Sequence, residues 1–348
     1  MEAVIDAGIP VEIGRIDKEL GRLWESSDDT KTRASLINLA IYCECPESLA
    51  RNTAIISEIA GQHACRAILI LADPKAAESR ARAWISAHCH LAGKGGRQIC
   101  SEQITFQLDG DAADALPNIV FSHLDSDLPL CFWWQGDFHE RVDEKLWAWV
   151  DRLLFDSAGW KAPAVQFSLL DQIAAMGESA PYLCDLNWAR LYHTRFALAT
   201  MFDHSEALAR LPQIDRVEID CAPGHRTTAV LLLGWLAVQL GWSLHSLLAE
   251  EYFVSKNGVS TGFRITECEG PSISRVRLAT SDAHFEIRRP EGSDFYHGCI
   301  QAPGLPETLP TLGAGREKIT DILLAELGRA GRHPIYAKVR TLIAPLLA

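Results

Sequence analysis

Two short clusters of the sequence contain residue types that bind metals. His88, Cys89 and His90 are consecutive, and Cys43 and Cys45 form a Cys-x-Cys pair. If the first cluster lies in a strand, the two histidines share one face and Cys89 points to the other, because side chains alternate along a strand. No Cys-x-x-Cys or His-x-x-x-His pair accompanies them, as a structural zinc site would require. We therefore predict no bound metal.

A glycine-rich segment with two cations, Gly93-Lys94-Gly95-Gly96-Arg97, could cradle a phosphate through its backbone amides. Nucleotide-binding loops of this composition open a helix, whereas the residues after Arg97 are strand-like. A hairpin turn is the favoured interpretation. The alternative is an enzyme or sensor that binds a phosphorylated sugar or nucleotide near Gly93–Arg97.

Candidate nucleophiles and acid-base pairs are isolated in the sequence. Ser101 precedes Glu102, and Ser157 follows Asp156. Both pairs are typical of polar residues at strand ends, and proximity in sequence alone does not make a catalytic site. We predict a protein that is not an enzyme, with no catalytic residue and no cofactor.

Charge and hydropathy exclude several classes of protein. The 348 residues carry 33 Lys and Arg against 45 Asp and Glu, a net charge of -12, which is unsuited to a nucleic-acid partner. The most apolar stretch, Ala229–Leu240, is too short to cross a bilayer, which takes about 20 residues, so no membrane association is expected. Met1–Leu20 lacks the basic flank and apolar run of a secretory signal. A chain of this length needs no disulfides, so we expect the ten cysteines to be reduced thiols and the location to be cytoplasmic.

The first half of the chain alternates helix-like and strand-like segments. Periodicity predicts a helix over 13–24 and another after Pro46, and apolar runs predict strands within 34–43, 65–71, 128–134 and 153–155. Segments 83–91 and 98–108 flank the glycines as a hairpin. This order predicts an α/β domain, residues 1–176, with a mixed, mostly parallel sheet flanked by helices.

The second half has different periodicities. Residues 177–184 are aperiodic and predict a linker, after which Asp185 can cap a helix that has Trp188, Tyr192 and Arg195 on one face. Ala229–Leu240 predicts a buried helix, and two amphipathic helices end the chain. Alternating segments around 217–221, 263–266, 274–278 and 284–288 predict strands. Residues 185–348 should therefore form a smaller α+β domain with an antiparallel sheet.

Adjacent tryptophans are the most unusual local feature. Trp133 and Trp134 end a predicted strand, so they should point to opposite faces, one into the core and one exposed for a protein contact. Burial of all the tryptophans is the alternative. Arginines concentrated in the second predicted sheet could meet an acidic partner, or pair across strands with Glu286 or Glu267; they are Arg264, Arg275, Arg277, Arg288 and Arg289.

Short motifs along nearly the whole chain occur in the order typical of one family. They are Leu36–Leu39, His63–Ile68, Cys100–Ile104, Asp127–Pro129 with Trp133-Trp134, Asp151-Arg152 with Asp156-Ser157, Asp185–Leu191, Arg195, Ala199, Phe202-Asp203 and Leu231–Ala237. In this combination the sequence resembles the bacterial glucose-6-phosphate dehydrogenase assembly proteins, the OpcA family. It departs from them at Ala64, where a proline is expected, and at His193-Thr194, where an aromatic residue is expected.

The resemblance implies a non-catalytic partner of glucose-6-phosphate dehydrogenase. Such a protein promotes the active oligomer, raises its affinity for substrate and so supports the oxidative pentose phosphate pathway. In cyanobacterial relatives the family also links the dehydrogenase to thioredoxin through cysteines, which have no clear counterparts here. From the motifs we predict a partner-binding surface or small cleft that includes Glu102, Asp127, Trp133, Trp134, Asp156, Arg190 and Arg195.

Overall fold

The computed structural model describes residues 8–25, 31–91, 98–114, 116–139, 144–247, 250–305 and 311–347. Two compact units are present. The first comprises Met1–Phe155, Leu169–Cys184 and Leu323–Gly331, and the second comprises Asp156–Ser168, Asp185–Ile322 and Arg332–Ala348. Each unit is discontinuous in sequence, whereas the predicted domains 1–176 and 185–348 are continuous. The domain boundary at 177–184 stays a prediction.

Within the described residues the first sheet has nine strands. They are β1 (Ile9–Val11), β2 (Lys31–Arg33), β3 (Ile37–Cys43), β4 (Cys65–Asp73), β5 (Arg80–Leu91), β6 (Gln98–Asp109), β7 (Leu130–Trp134), β8 (Arg152–Phe155) and β9 (Tyr182–Asp185). Their order is β1-β5-β6-β4-β3-β7-β8-β9, with β2 beside β6. The central pairs β6–β4, β4–β3, β3–β7 and β7–β8 are parallel, and β5–β6 is an antiparallel hairpin. The predicted mixed, mostly parallel sheet is confirmed.

Helices α1 (Ile16–Glu25), α2 (Ser48–Ala60), α3 (Leu116–Ile119), α4 (Glu144–Trp147) and α5 (Pro163–Ala174) accompany this sheet in the chain. Helix α2 follows Pro46 and buries Leu49, Ile55, Ile56 and Ile59, as its periodicity predicted. Strands β3 and β4 are buried almost without interruption because a central parallel strand is covered on both faces. Continuous apolar sequence is therefore what these strands require.

The second sheet has eight strands in the part of the chain that the structure describes. They are β10 (Arg216–Cys221), β11 (Ser243–Leu247), β12 (Glu250–Val254), β13 (Ser260–Glu267), β14 (Ile273–Ala279), β15 (His284–Arg288), β16 (Phe295–Gln301) and β17 (Leu312–Gly313), in the order β11-β12-β13-β10-β14-β15-β16-β17. Every neighbouring pair is antiparallel except β10–β13. The predicted antiparallel sheet is thus confirmed, with one parallel pair.

The later helices are α6 (Leu186–Arg190), α7 (Tyr192–Thr200), α8 (Ser205–Leu208), α9 (Arg226–Leu240), α10 (Ile319–Leu327) and α11 (Pro334–Ile343). Helix α9 buries Ala229–Leu233 completely or nearly so, which confirms the predicted buried helix. Among the described residues, no helix has the length and apolarity needed to cross a membrane.

The prediction of one helix that carries Trp188, Tyr192 and Arg195 on a single face is wrong, because two helices occupy this segment. The amide of Leu191 donates to Trp188 O, three residues back, and this tighter bond ends α6 before α7 begins. The resulting break leaves Tyr192 53% exposed, so it does not share the buried face of Trp188. The predicted cap is confirmed, since the Asp185 side chain accepts from the Asn187 amide at 2.9 Å.

Two cysteines contradict the expectation that all ten are reduced. Cys89 of β5 lies opposite Cys100 of β6 in the hairpin register, and the two form a disulfide. The antiparallel pairing brings their Cα atoms to 4.1 Å, which no spacing in the sequence indicated. The other eight cysteines are free.

Candidate functional site

A bidentate ion pair joins two of the predicted site residues in the second unit. Asp156 follows strand β8 and caps the turn Ser157–Gly159, while Arg190 ends α6. Arg190 Nη2 lies 2.6 Å from Asp156 Oδ2, and Nη1 lies 3.3 Å from Oδ1. The arginine side chain is 8% exposed and the aspartate side chain 27% exposed. This pair is therefore shielded from most of the screening that weakens surface ion pairs.

Hydrogen bonds extend the ion pair into the interior. Arg190 Nη1 donates to Asn187 Oδ1 at 3.0 Å, and Thr228 Oγ1 donates to the same oxygen at 2.7 Å. Asn187 Nδ2 in turn donates to Ser157 Oγ at 3.0 Å. The network fixes the orientation of Arg190 because both Asn187 and Thr228 are buried.

Asp185 is the innermost member of this network. Its carboxylate accepts from the Ser157 amide and hydroxyl at 3.1 and 2.7 Å, and from the Tyr336 hydroxyl at 3.1 Å. Burial, with the nearby charge of Asp156, raises the pKa of Asp185 to about 6. Ser157 is fully buried and its hydroxyl donates to Asp185, so it is not an exposed nucleophile.

An open cleft of about 870 Å³ lies beside the ion pair, entirely within the second unit. We call it the α9 cleft, because the first residues of α9 form one side. Its lining comprises Asp156, Ala158, Gly159, Trp160, Pro163, Arg190, Gly224, His225, Arg226, Thr227, Leu346 and Leu347. Its volume is in the range of small-molecule sites.

His225 occupies the position that precedes α9 and lines the cleft. Its Nδ1 lies 3.0 Å from Thr228 Oγ1. Burial lowers the pKa of His225 from its ordinary value, and the positive charge of Arg190 lowers it further. The imidazole is therefore neutral near pH 7, and the cations of the cleft are the two arginines.

The predicted site residue Glu102 lies inside the first unit. It is 1% exposed on β6, accepts from Trp24 Nε1 at 2.6 Å and has Arg66 Nε at 3.5 Å from its carboxylate. Arg66 also reaches Asp17 at 3.2 Å. These contacts compensate the charge of a buried carboxylate, so Glu102 does not offer a free surface to a partner.

The expectation that one of the adjacent tryptophans is exposed is wrong. Trp133 and Trp134 are 4% and 3% exposed. They point to opposite faces as predicted, but β7 is a central strand between β3 and β8, and both faces of it are covered. Partner contact at these residues stays a prediction. Neither indole is exposed at the surface.

Trp134 fills the place where sheets of this kind bind ligands. Strand β3 has β4, which follows it through α2, on one side and β7 on the other. Where the chain connections leave neighbouring parallel strands in opposite directions, a crevice opens between the carboxyl ends of those strands, here β3 and β7. Here Trp134 stacks on Tyr42 with ring centroids 3.9 Å apart. At the same end of the sheet, the side-chain amides of Asn52 and Gln135 form two hydrogen bonds with each other, of 3.0 and 2.9 Å. Side chains, rather than open space, occupy this crevice.

Asp127 and Arg195 lie apart from the ion pair. Asp127 is exposed in the turn before β7. The guanidinium carbon of Arg195 lies 3.8 Å from the ring centroid of Trp188, and its Nη1 donates to Trp188 O at 2.8 Å. Of the seven predicted residues, the structure brings Asp156 and Arg190 into contact and places Trp133 beside Trp134 in β7.

The remaining candidates have structural partners or lie outside the described residues. His88 Nε2 is 2.7 Å from Gln103 Oε1, and the sulfur of Cys89 belongs to the disulfide, so the His-Cys-His cluster lacks its thiolate. The Gly93–Arg97 segment falls in residues 92–97, outside the described residues. Arg275 pairs with Asp220 at 2.7 Å and Glu286 at 3.7 Å, which confirms the cross-strand pairing predicted for it.

Sequence reasoning missed several features of the second unit. The sequence pattern indicates Asp185 only as a helix cap, and no motif indicates the cleft residues His225 and Arg226. The signal for the cleft was the end of an alternating strand followed by Pro223-Gly224 and a helix. A Gly-x-Ser-x-Gly sequence, 258–262, is present, but it spans the turn after β12 and the first residues of antiparallel β13 rather than the strand-to-helix turn of a hydrolase nucleophile.

Comparison with protein families matches both halves of the chain. Residues 56–172 match the model described as glucose-6-phosphate dehydrogenase subunit N-terminal domain, and residues 181–340 match the corresponding C-terminal domain. The chain belongs to the OpcA family. OpcA of Nostoc punctiforme is 30% identical over 191 residues, and OpcA of Synechocystis is 27% identical over 192 residues. Each match covers 54% of this chain and only 40% of the relative's length.

The solved structures that match are much more distant in sequence. UDP-N-acetylglucosamine 3-dehydrogenase GnnA from Acidithiobacillus ferrooxidans is 11% identical with a TM-score of 0.45, covering 91% of this chain and 96% of that one. An aldose-aldose oxidoreductase from Caulobacter crescentus is 9% identical with a TM-score of 0.46, covering 89% and 96%. Similarity at this level carries no inference about activity.

Proposed function

We propose that the chain binds glucose-6-phosphate dehydrogenase in the cytoplasm as a non-catalytic assembly factor. It promotes the active oligomer of the dehydrogenase and raises its activity, in support of the oxidative pentose phosphate pathway. The observation that carries this proposal is the match of both halves of the chain to OpcA family models whose descriptions name that dehydrogenase. The proposal involves no nucleic acid, in keeping with the net charge of -12.

Two features of the structure favour a role without chemistry. The stacked rings of Tyr42 and Trp134 occupy the crevice at the end of β3 and β7. Ser157, the serine nearest the Asp156–Arg190 pair in sequence, is buried in a hydrogen-bond network. A binding partner needs no catalytic group, because higher affinity for the active oligomer than for the inactive form is sufficient to shift the equilibrium between them.

The experiment measures the activity of the same organism's purified dehydrogenase at subsaturating substrate, with and without the chain, together with light scattering of the mixture. We expect a heavier complex and a higher rate. No complex and no change in rate, under both reducing and oxidising conditions, would overturn the proposal.

Asp127 offers a test of the contact surface, because it is exposed in the turn before β7. Asp127→Lys should weaken the complex by reversing a charge at the contact. Asp111→Lys is the matched control, since Asp111 is also an exposed aspartate of the first unit. Equal binding by the two variants would remove Asp127 from the contact while leaving the assembly role in place.

A further inference from the structure

Helices cover one face of the second sheet, and the other face is exposed. Phe202, which follows α7, packs on Phe285 of β15 with ring centroids 4.7 Å apart, and Thr194 Oγ1 of α7 lies 2.7 Å from the Tyr296 hydroxyl of β16. Side chains alternate along a strand, so the residues next to Phe285 and Tyr296 point the other way. They are exposed or partly exposed. We call this surface the arginine face; its members include Arg216, Glu218, Asp220, Arg264, Thr266, Arg275, Arg277, His284, Glu286, Arg288, Phe295 and His297.

The arginine face is positive, although the chain as a whole is acidic. It carries five arginines against three carboxylates, in a chain with a net charge of -12. Arg275 lies 2.7 Å from Asp220 and 3.7 Å from Glu286, and Arg277 lies 3.9 Å from Glu218, so all three carboxylates have an arginine partner on the face. The surplus positive charge belongs to the other three arginines, Arg216, Arg264 and Arg288.

Arg264 and Arg288 are exposed and form no ion pair with any residue that the structure describes. The strand register places Arg264 opposite Glu218, but that carboxylate pairs with Arg275 and Arg277, at 3.8 and 3.9 Å. Arg288 lies directly opposite Arg275, and like charges in this position destabilise a sheet. A carboxylate from another molecule would pair with each exposed arginine and would offset the repulsion at Arg288.

The spacing of the two arginines suits one protein contact. Three strand spacings separate Arg264 on β13 from Arg288 on β15, about 14 Å in all. This separation fits within a standard contact of about 800 Å² per partner. Phe295, on the same face, is 53% exposed, and aromatic residues and arginines are the side chains enriched at the centres of protein contacts.

Other occupants fit the arginine face less well. Nucleic acids and anionic membranes present continuous negative charge, which the three carboxylates of the face and the net charge of -12 would repel. Interfaces between two copies of one chain are depleted of charge at their centre, whereas the centre of this face is the network around Arg275. A protein surface with separate carboxylates matches the pattern.

We propose that the arginine face docks on a carboxylate-rich surface of the dehydrogenase. This inference rests on the proposed assembly role, and it adds the surface of this chain that makes the contact and the chemistry of its counterpart. Arg264 and Arg288 pair with carboxylates of the dehydrogenase, and Phe295 packs beside them. The contact is separate from Asp127, which belongs to the first unit.

Surface plasmon resonance of the full chain on the same organism's immobilised dehydrogenase tests the proposal. Arg264→Glu and Arg288→Glu should each weaken binding about tenfold, mostly through slower association, because the reversed charge repels the carboxylates. The double variant should bind about a hundredfold more weakly, since positions this far apart act independently. Added salt should weaken the complex of the unmodified chain more than that of the double variant.

Arg316→Glu is the matched control. Arg316 is an exposed arginine of the same unit, forms no ion pair with any described residue and lies outside the strands of the sheet. Its reversal changes the net charge by the same amount as either test variant, yet it should bind like the unmodified chain. Arg264→Lys keeps the positive charge and should retain most of the affinity. Melting temperatures verify that each variant is folded.

The proposal is overturned if the folded double variant binds the dehydrogenase as tightly as Arg316→Glu does, and the assembly role would then remain with a different contact surface. Absence of any complex with the unmodified chain overturns the assembly role as well. Light scattering of the chain alone and sedimentation with phosphatidylserine vesicles test the other occupants. A dimer or a vesicle complex that the double variant abolishes would assign the face to that occupant, against the proposal.

Discussion

Tyr336 donates its hydroxyl to Asp185 Oδ2 at 3.1 Å, although 151 positions separate the two residues. The contact ties α11 to the start of α6 inside the second unit. Asp185 accepts three further hydrogen bonds, two from Ser157 and one from the Asn187 amide, yet burial still raises its pKa to about 6. Desolvation of the charge therefore outweighs the bonds that favour it.

The raised pKa of Asp185 predicts a pH dependence of stability. The folded chain binds the Asp185 proton more tightly than the unfolded chain, whose aspartates titrate near pH 4. The resulting stabilisation is complete below about pH 4 and is lost as the pH rises through about 6. A shift of about two units corresponds to about 3 kcal/mol. The measurement is urea unfolding of the unmodified chain and of Asp185→Asn at several pH values.

Asp185→Asn is a suitable reference because an amide does not titrate, and its oxygen and nitrogen can face the amide donors and the two hydroxyls. The free energy of unfolding of the unmodified chain, minus that of Asp185→Asn, should fall between pH 4 and 6 and stay constant above pH 7. Subtraction removes the other titrating groups. A difference that does not change with pH would contradict the assigned pKa.

Arg190→Met tests the ion pair of the second unit. It leaves the Asp156 carboxylate without its partner, and the loss of one member of a largely buried pair costs about 3 kcal/mol. Arg22→Met is the control, since Arg22 is 54% exposed and pairs with Glu19 three residues away, a contact worth about 0.5 kcal/mol or less. Both values come from urea unfolding. Similar small losses in the two variants would mean that the Asp156–Arg190 pair is solvated.

The sequence alone was sufficient to predict burial where the composition of a single helix or strand determines it. β4 and α9 are apolar over most of their length, so their type and burial followed from composition. The sequence alone was insufficient to predict burial where it depends on which strands lie beside the element. The alternation in β7 correctly separated the faces of Trp133 and Trp134, but only the sheet order shows that both faces are covered.

The candidate site shows the same limit. Asp156 and Arg190 were both selected from motifs, but they are 34 positions apart, and no periodicity indicated that they pair. The α9 cleft depends on residues from the turn after β8, the start of α9 and the end of the chain. Contacts between such distant segments arise from tertiary packing, which local patterns do not encode.

Trp134→Ala should destabilise the first unit strongly. The substitution removes a buried indole that stacks on Tyr42 and contacts Phe138, and large aromatic-to-alanine changes in a core cost about 4 kcal/mol. Trp149→Ala is the matched control, because Trp149 is 57% exposed in the same unit and should cost about 1 kcal/mol or less. Denaturant unfolding checks both values. Equal losses for the two tryptophans would contradict the burial of Trp134.

Gly234→Ala should disturb the packing of α9 against α11. A methyl group at this position would clash with Ile343 Cγ2 and would lie 2.8 Å from Val339 Cγ1, so the helices must move apart, at a cost of about 2 kcal/mol. Gly21→Ala in α1 is the control, with no atom within 4 Å of the added carbon, and it should stabilise the chain by about 0.5 kcal/mol through helix propensity.

A double-mutant cycle assigns the cost of Gly234→Ala to the helix contact. In an Ile343→Ala background the clash with Ile343 Cγ2 is gone, so Gly234→Ala should cost about 1 kcal/mol less than in the unmodified chain, as expected for residues in direct contact. Thermal and urea unfolding of the four proteins provide the cycle. Additive losses would show that the space beside Gly234 is not set by Ile343, and the close approach of α9 and α11 would then need another explanation.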